Sequence, residues 1–199
     1  MKTILFATKN QGKVKEIKEI LGDLPVRVIT MQEAGIDIEI EEIGKSFEEN
    51  AILKAEALKE YTDAIILADD SGLEIDALNK EPGIYSARYL GENTSYTIKN
   101  QTILDRLKNV PREKRTARFV CSIAAAGKSI ETLTVTGIME GYIGEEARGE
   151  NGFGYDPIFF VEPYNTSTAE LTPEQKNKIS HRGKALRGMV EKLRPILED

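Results

Sequence analysis

The chain has 199 residues, 40% hydrophobic and 30% charged, the balance of a soluble globular protein long enough to bury a core. No run nears the ~20 apolar residues of a membrane span, and the opening apolar run Thr3–Ala7 is too short for a signal peptide. A net charge of −6 argues against a nucleic-acid-binding face, and a single cysteine excludes an internal disulfide and fits a reducing cytoplasm. Residues 3–7 form an apolar run ended by Thr8-Lys9-Asn10-Gln11-Gly12, the pattern of a buried strand and a turn. A helix is predicted over 12–21, with Val14, Ile17, Ile20 and Leu21 on one face, and a strand over Val26–Thr30. The next helix begins near Ser46. Ser46 and Glu49 have the spacing of a capping box, and Phe47, Ala51, Ala55 and Leu58 recur at helical intervals. Ala64–Ala68 is another buried strand, predicted to end abruptly at Asp69-Asp70-Ser71-Gly72.

A helix follows over 95–108. Thr116–Ala126 and Ser129–Ile143 are long β-like runs joined by Gly127-Lys128, a hairpin signal, and their length suits a second lobe or a dimer surface. Residues 144–157 hold Gly144, Gly149, Gly152 and Gly154 and read as a loop. Thr172-Pro173-Glu174-Gln175 opens the terminal helical region with cap, first-turn proline and capping box in place. Ser180 is placed to cap a last helix whose buried stripe is Leu186, Met189, Leu193 and Ile196. Strand-like and helix-like segments alternate without repeats or linkers, so the class is α/β or α+β, and residues 1–199 read as one domain.

One histidine and one cysteine leave too few ligands for a zinc site, and no Gly-x-Ser-x-Gly elbow occurs. Any metal must take oxygen ligands, which points to magnesium, manganese or calcium. Four segments place polar residues at the ends of predicted elements. Thr8–Lys13 is a strand-to-helix turn where helix N–H groups and Lys13 attract an anion, although it is not a Walker A loop and an ordinary polar turn has the same composition. Asp69-Asp70-Ser71-Gly72 sets two carboxylates at the carboxyl end of a buried strand, where a hard cation relieves their repulsion; an exposed acidic turn is the plainer alternative. Glu39–Glu42, leading into Ser46–Lys54, is on its own most simply a solvated acidic run. Gly152-Phe153-Gly154-Tyr155-Asp156-Pro157 offers an aromatic to stack on a base, with Lys176 and Ser180-His181-Arg182 as donors to its carbonyls; core packing and capping are the simpler roles for each residue alone.

Taken together, these segments resemble the inosine triphosphate pyrophosphatase family, whose bacterial members are XTP/dITP diphosphatases. The resemblance runs in order through Thr8–Lys13, Ser46–Ala51, Ala68–Leu73, Pro82–Arg88, Phe153–Pro157 and Ser180–Arg182. It departs at Lys9, where many relatives carry Gly. It implies an elongated, two-lobed α/β fold with a long mixed sheet flanked by helices and a central substrate cleft, and usually a homodimer. It implies that Thr8, Lys9, Asn10, Gln11, Gly12, Lys13 and Lys54 hold the triphosphate, that Glu41 and Asp70 engage Mg2+, and that Asp70 is the base for water. Ser71 would contact substrate, and Phe153, Gly154, Tyr155, Asp156, Lys176, His181 and Arg182 would surround the base. The implied activity is hydrolysis of purine nucleoside triphosphates with altered bases (ITP, dITP, XTP) to the monophosphate and pyrophosphate. A nucleotide-binding regulator without turnover has little reason to crowd Asp69 against Asp70. A relative acting on dTTP or UTP would not be expected to carry the Phe153–Asp156 and Ser180–Arg182 pair.

Overall fold

The computed structural model describes residues 2–22, 25–162 and 164–198. Among them the chain alternates strands and helices: β1 (Lys2–Phe6), α1 (Gln11–Leu21), β2 (Val26–Thr30), α2 (Phe47–Ala57), β3 (Ile65–Ile75), α3 (Tyr96–Arg106), β4 (Thr116–Gly127), β5 (Ile130–Ile143), β6 (Phe159–Val161), β7 (Thr166–Ser167), α4 (Pro173–Ile179) and α5 (His181–Glu198). The strand order is β2-β1-β3-β4-β5-β6-β7. β1 pairs in parallel with β2 and β3, whereas β6 pairs antiparallel with β5 and β7. The sheet is therefore mixed and the class is α/β. No described helix is long and apolar enough to cross a membrane.

The chain divides into two compact units: Met1–Asp70, Cys121–Gly137 and His181–Asp199 form the first, and Ser71–Val120 with Ile138–Ser180 form the second. In the first unit the sheet is buried on both faces, which explains why its strands read as unbroken apolar runs. Alternate residues part company. Ile4, Phe6, Leu67, Cys121, Ile123 and Ala125 pack with Ile17 and Leu21 of α1 and with Ala185, Leu186, Met189 and Leu193 of α5. Their neighbours Leu5, Ala7, Ile66, Ala68, Ala124 and Ala126 pack with Ala51 and Ala55 of α2 and with Leu58. The second unit has its own core, built from Leu73, Ile75, Ile103, Leu104, Phe119, Met139, Ile143, Tyr155, Ile158 and Phe159 among others.

Most predicted elements stand within one or two residues of their expected bounds. β3 is the main correction: it does not stop at Ala68 but runs through Asp69-Asp70-Ser71-Gly72 to Ile75. Its aspartates meet cations and an amide from neighbouring helices, so no turn into water is needed. β6 and β7 are too short, at three and two residues, to show a period of two in sequence. The β4–β5 turn falls on Lys128-Ser129, one residue later than the Gly127-Lys128 signal. Ser46 caps α2 by accepting the Glu49 N–H at 3.1 Å, but Glu49 takes the Lys45 N–H at 2.7 Å, so the expected box is shifted by one residue. Thr172 and Gln175 do form theirs.

Candidate active site

The first unit concentrates charge around Asp69 and Asp70. A strand sends successive side chains to opposite faces. Asp69 continues the row of Leu67 toward α1 and α5, and Asp70 continues the row of Ala68 toward α2. Asp69 Oδ2 is 2.9 Å from Lys13 Nζ and 3.3 Å from an Arg182 nitrogen, and Arg182 also pairs with Glu16. Lys13 and Glu16 are three apart on α1 and so share a face. Burial alone would raise the Asp69 carboxyl, but Lys13, Arg182 and Lys54 outweigh it and hold it well below the usual carboxylate range. Cys121 Sγ lies 3.9 Å from the same oxygen, and burial, with Asp69 beside it, pushes this thiol up to about 12. It is an inert neighbour.

Asp70 is in the opposite condition. Burial raises its carboxyl, Glu42 adds to the rise, and Lys54 and the Asn50 amide oppose it without cancelling it. Asn50 Nδ2 donates to Asp70 Oδ2 at 2.9 Å. Lys54 Nζ lies 2.7 Å from Glu42 Oε1 and 3.8 Å from Asp70 Oδ1, so two carboxylates converge on one ammonium. Burial would lower the Lys54 pKa, but Asp69, Asp70 and Glu42 more than reverse this and keep it a cation. Of the two adjacent glutamates, Glu42 is the one turned to this group, whereas Glu41 is exposed.

The turn before α1 is a capped helix start. Asn10 caps α1 by accepting the Lys13 N–H at 3.2 Å, and Thr8 Oγ1 accepts the Asn10 N–H at 3.1 Å. Lys9, Asn10 and Gln11 are exposed, and Thr8, Gly12 and Lys13 half-buried. Lys9 forms an exposed pair with Asp37 at 2.9 Å.

In the second unit Asp156 is a hub. Its Oδ2 accepts the Phe153 N–H at 2.8 Å and the Lys176 ammonium at 2.6 Å, and its Oδ1 accepts the Thr168 hydroxyl at 2.7 Å. Lys176 Nζ stands 4.9 Å from the centre of the Phe153 ring. Gly152, with φ +71°, leaves no room for a side chain beside Asp156. Asn100 ties the loop through the Gly154 carbonyl at 3.1 Å. Tyr155 is buried, donates to the Ser86 carbonyl at 2.7 Å and meets Tyr96 edge-on at 5.1 Å, which is core packing. Ser71 is half-buried at the start of this unit. His181 and Arg182 open α5 in the first unit, both buried.

For a hard cation the available donors are the Asp70 and Glu42 carboxylates at Lys54 and the exposed Glu41 next to Glu42 in the chain. No group of three or more His, Cys, Asp or Glu able to hold a metal occurs among the described residues. Two carboxylates completed by water and phosphate oxygens are the usual provision for Mg2+, so the donor set fits it.

Residues 4–192 match the Ham1 family. The chain belongs to this family. It is 51% identical to a dITP/XTP pyrophosphatase from Bacillus subtilis, covering all of this chain and 98% of the relative. It is 47% identical to a dITP/XTP pyrophosphatase from Clostridium perfringens over the whole of both. The structure of the Staphylococcus aureus Ham1 protein superposes with a TM-score of 0.86 at 45% identity, covering 98% of this chain and 99% of that one.

Sequence reasoning gave no individual role to Glu42 and Asn50, which lie within the segments it singled out, and did not single out Glu16. Glu41 and Glu42 lie in a segment with no helix or strand, so no period says which one faces inward. Asn50 was detectable: it interrupts the apolar helical face of Phe47, Ala51 and Ala55, and a polar residue on such a face needs buried partners.

Proposed function

We propose that this chain is a Mg2+-dependent nucleoside triphosphate pyrophosphatase that hydrolyses ITP, dITP and XTP to the monophosphate and pyrophosphate. The observation that carries this reading is the Asp70, Asn50, Lys54 and Glu42 group, in a chain about half identical to proteins named dITP/XTP pyrophosphatase. In this reading Asp70 is the base for the attacking water, its raised carboxyl suited to taking a proton. Asp70 and Glu41 hold Mg2+, with Glu42 beside Asp70 on Lys54, and the ion when bound supplies charge neutralisation on the phosphates. Lys13, Lys54 and the first turn of α1, from Thr8 to Gly12, bind the phosphate chain and stabilise the departing pyrophosphate.

In the second unit Phe153 stacks on the base and Lys176 donates to the carbonyl at C6, while Asp156 and Gly154 shape the loop that presents them. Tyr155 supports that loop from the core. Ser71, His181 and Arg182 complete the proposed contacts. Arg182 holds Glu16 and Asp69 with two nitrogens, and a guanidinium carries five donors in all. Adenine has an amino group at C6, so a buried lysine there would face a donor at a cost of ~1–3 kcal/mol. This reading also takes 1–199 as one catalytic domain working in the cytoplasm as a homodimer.

The test is kcat/KM for ITP, dITP, XTP, GTP, ATP and dTTP, with and without excess EDTA. ITP, dITP and XTP are expected to exceed ATP and dTTP by ~10²-fold or more, and EDTA to abolish turnover. Equal turnover of dTTP, or activity that survives EDTA, overturns the assignment.

A further inference from the structure

We propose that Asn50 is the positioning residue of the hydrolytic centre: one end of its amide orients Asp70, and the other anchors the strap that carries Glu42. The proposal rests on the reading of Asp70 as the base. Asn50 is completely buried. Its Nδ2 donates to Asp70 Oδ2 at 2.9 Å, and its Oδ1 accepts the Gly44 N–H at 2.8 Å. This orientation is dictated by chemistry, because an ionised carboxylate only accepts and a backbone N–H only donates. The backbone beneath the side chain is fixed as well, since the Asn50 N–H bonds the Ser46 carbonyl at 3.1 Å in the first turn of α2.

The strap is drawn close by design. A Cβ on Gly44 would lie 2.6 Å from Asn50 Oδ1 and 2.8 Å from Glu49 Cβ, so only glycine permits the bond. Lys45 is held one residue later by Glu49. Glu42 stands two residues before Gly44 and meets Lys54, one turn of α2 beyond Asn50. A single amide thus links Asp70 to the strap that carries Glu41 and Glu42, through a rigid helix. Supporting hydrogen bonds of this kind typically change activity by ~10–10²-fold when removed.

The experiment compares wild type, Asn50→Leu, Asn50→Asp and Asp70→Asn. The measurements are kcat and KM for ITP, and hydrogen–deuterium exchange of backbone amides 43–46 without nucleotide. Asn50→Leu removes both bonds: kcat is expected to fall ~10–10²-fold with KM little changed, and the Gly44 amide to exchange faster. Asn50→Asp keeps the acceptor for the Gly44 N–H but replaces the amide donor with a second carboxyl against Asp70, where the pair shares one proton. The Gly44 amide should therefore stay protected while kcat still falls. If either variant folds and keeps the wild-type kcat, or if only KM changes, the proposal is overturned. Should Asn50→Leu fail to fold, Asn50→Asp decides alone, being nearly identical in shape. An inactive Asp70→Asn beside normal Asn50 variants defeats this proposal alone, whereas a fully active Asp70→Asn defeats the reading of Asp70.

Discussion

Asp69 and Asp70 are adjacent on β3, and the alternation of a strand gives them different neighbours. Asp69 is neutralised by Lys13 and Arg182 and serves to hold those cations in place. Asp69→Asn would leave the buried Arg182 and the half-buried Lys13 facing an amide, and breaking a buried ion pair this way costs ~3–5 kcal/mol. Denaturant titration is expected to show that loss; an unchanged midpoint contradicts it. Asp70 has a raised carboxyl and is the proposed base. Asp70→Asn is expected to lower kcat by ~10²-fold or more while ITP binding, followed by calorimetry, persists. On the other unit, Lys176→Met removes the ammonium held by Asp156 over Phe153. Its ITP-to-ATP ratio in kcat/KM is expected to fall by ~10-fold or more. A ratio equal to wild type would remove Lys176 from base selection.

At the level of elements, close approach and edge ties are what the sequence conveys least. Gly137 on β5 is an example. A Cβ there would strike the His181 carbonyl and lie 2.7 Å from the Ala185 nitrogen, both backbone atoms at the start of α5. Gly137→Ala is expected to cost ~1–3 kcal/mol through overpacking, seen as a lower Tm. A second tie closes the end of β3 in the other unit. Arg118 of β4 grips Asp76 with two nitrogens at 3.1 Å each and Glu140 of β5 at 2.9 Å. Arg118, Lys80 and Thr116 hold the Asp76 carboxyl well below the usual range. A depressed carboxyl stabilises the fold above its unfolded pKa of ~3.9 and loses that contribution as pH falls below it. The stability gap between wild type and Asp76→Asn should therefore stay level from pH 7 to 5 and narrow below pH ~4. A gap that widens on acidification contradicts this. Helix starts, by contrast, were readable: Ser46 and Thr172 each cap as their side chains allow. β3 was cut short in the sequence reading because Asp69-Asp70-Ser71-Gly72 has turn composition, and only the tertiary cations and amide make it a strand.

For the whole molecule, alternation of apolar runs and helical stripes narrowed the class to α/β or α+β, and the order of six short motifs disclosed the family and with it the α/β fold. Those motifs divide between the two units once folded: Thr8–Lys13, Ser46–Ala51, Asp69-Asp70 and His181-Arg182 in the first, Pro82–Arg88 and Phe153–Pro157 in the second. Neither group is contiguous in sequence, so the partnership of Asp70 with Asn50, or of Asp156 with Lys176, is visible only in three dimensions. The central claim is that such a chain removes pyrophosphate from altered purine nucleotides and spares ATP. The most direct test incubates the purified protein with an equimolar mixture of ITP and ATP in Mg2+ and separates all products by anion exchange. The account expects IMP and intact pyrophosphate in one-to-one yield, with ATP left in place. IDP with orthophosphate, or AMP formed as fast as IMP, would contradict it.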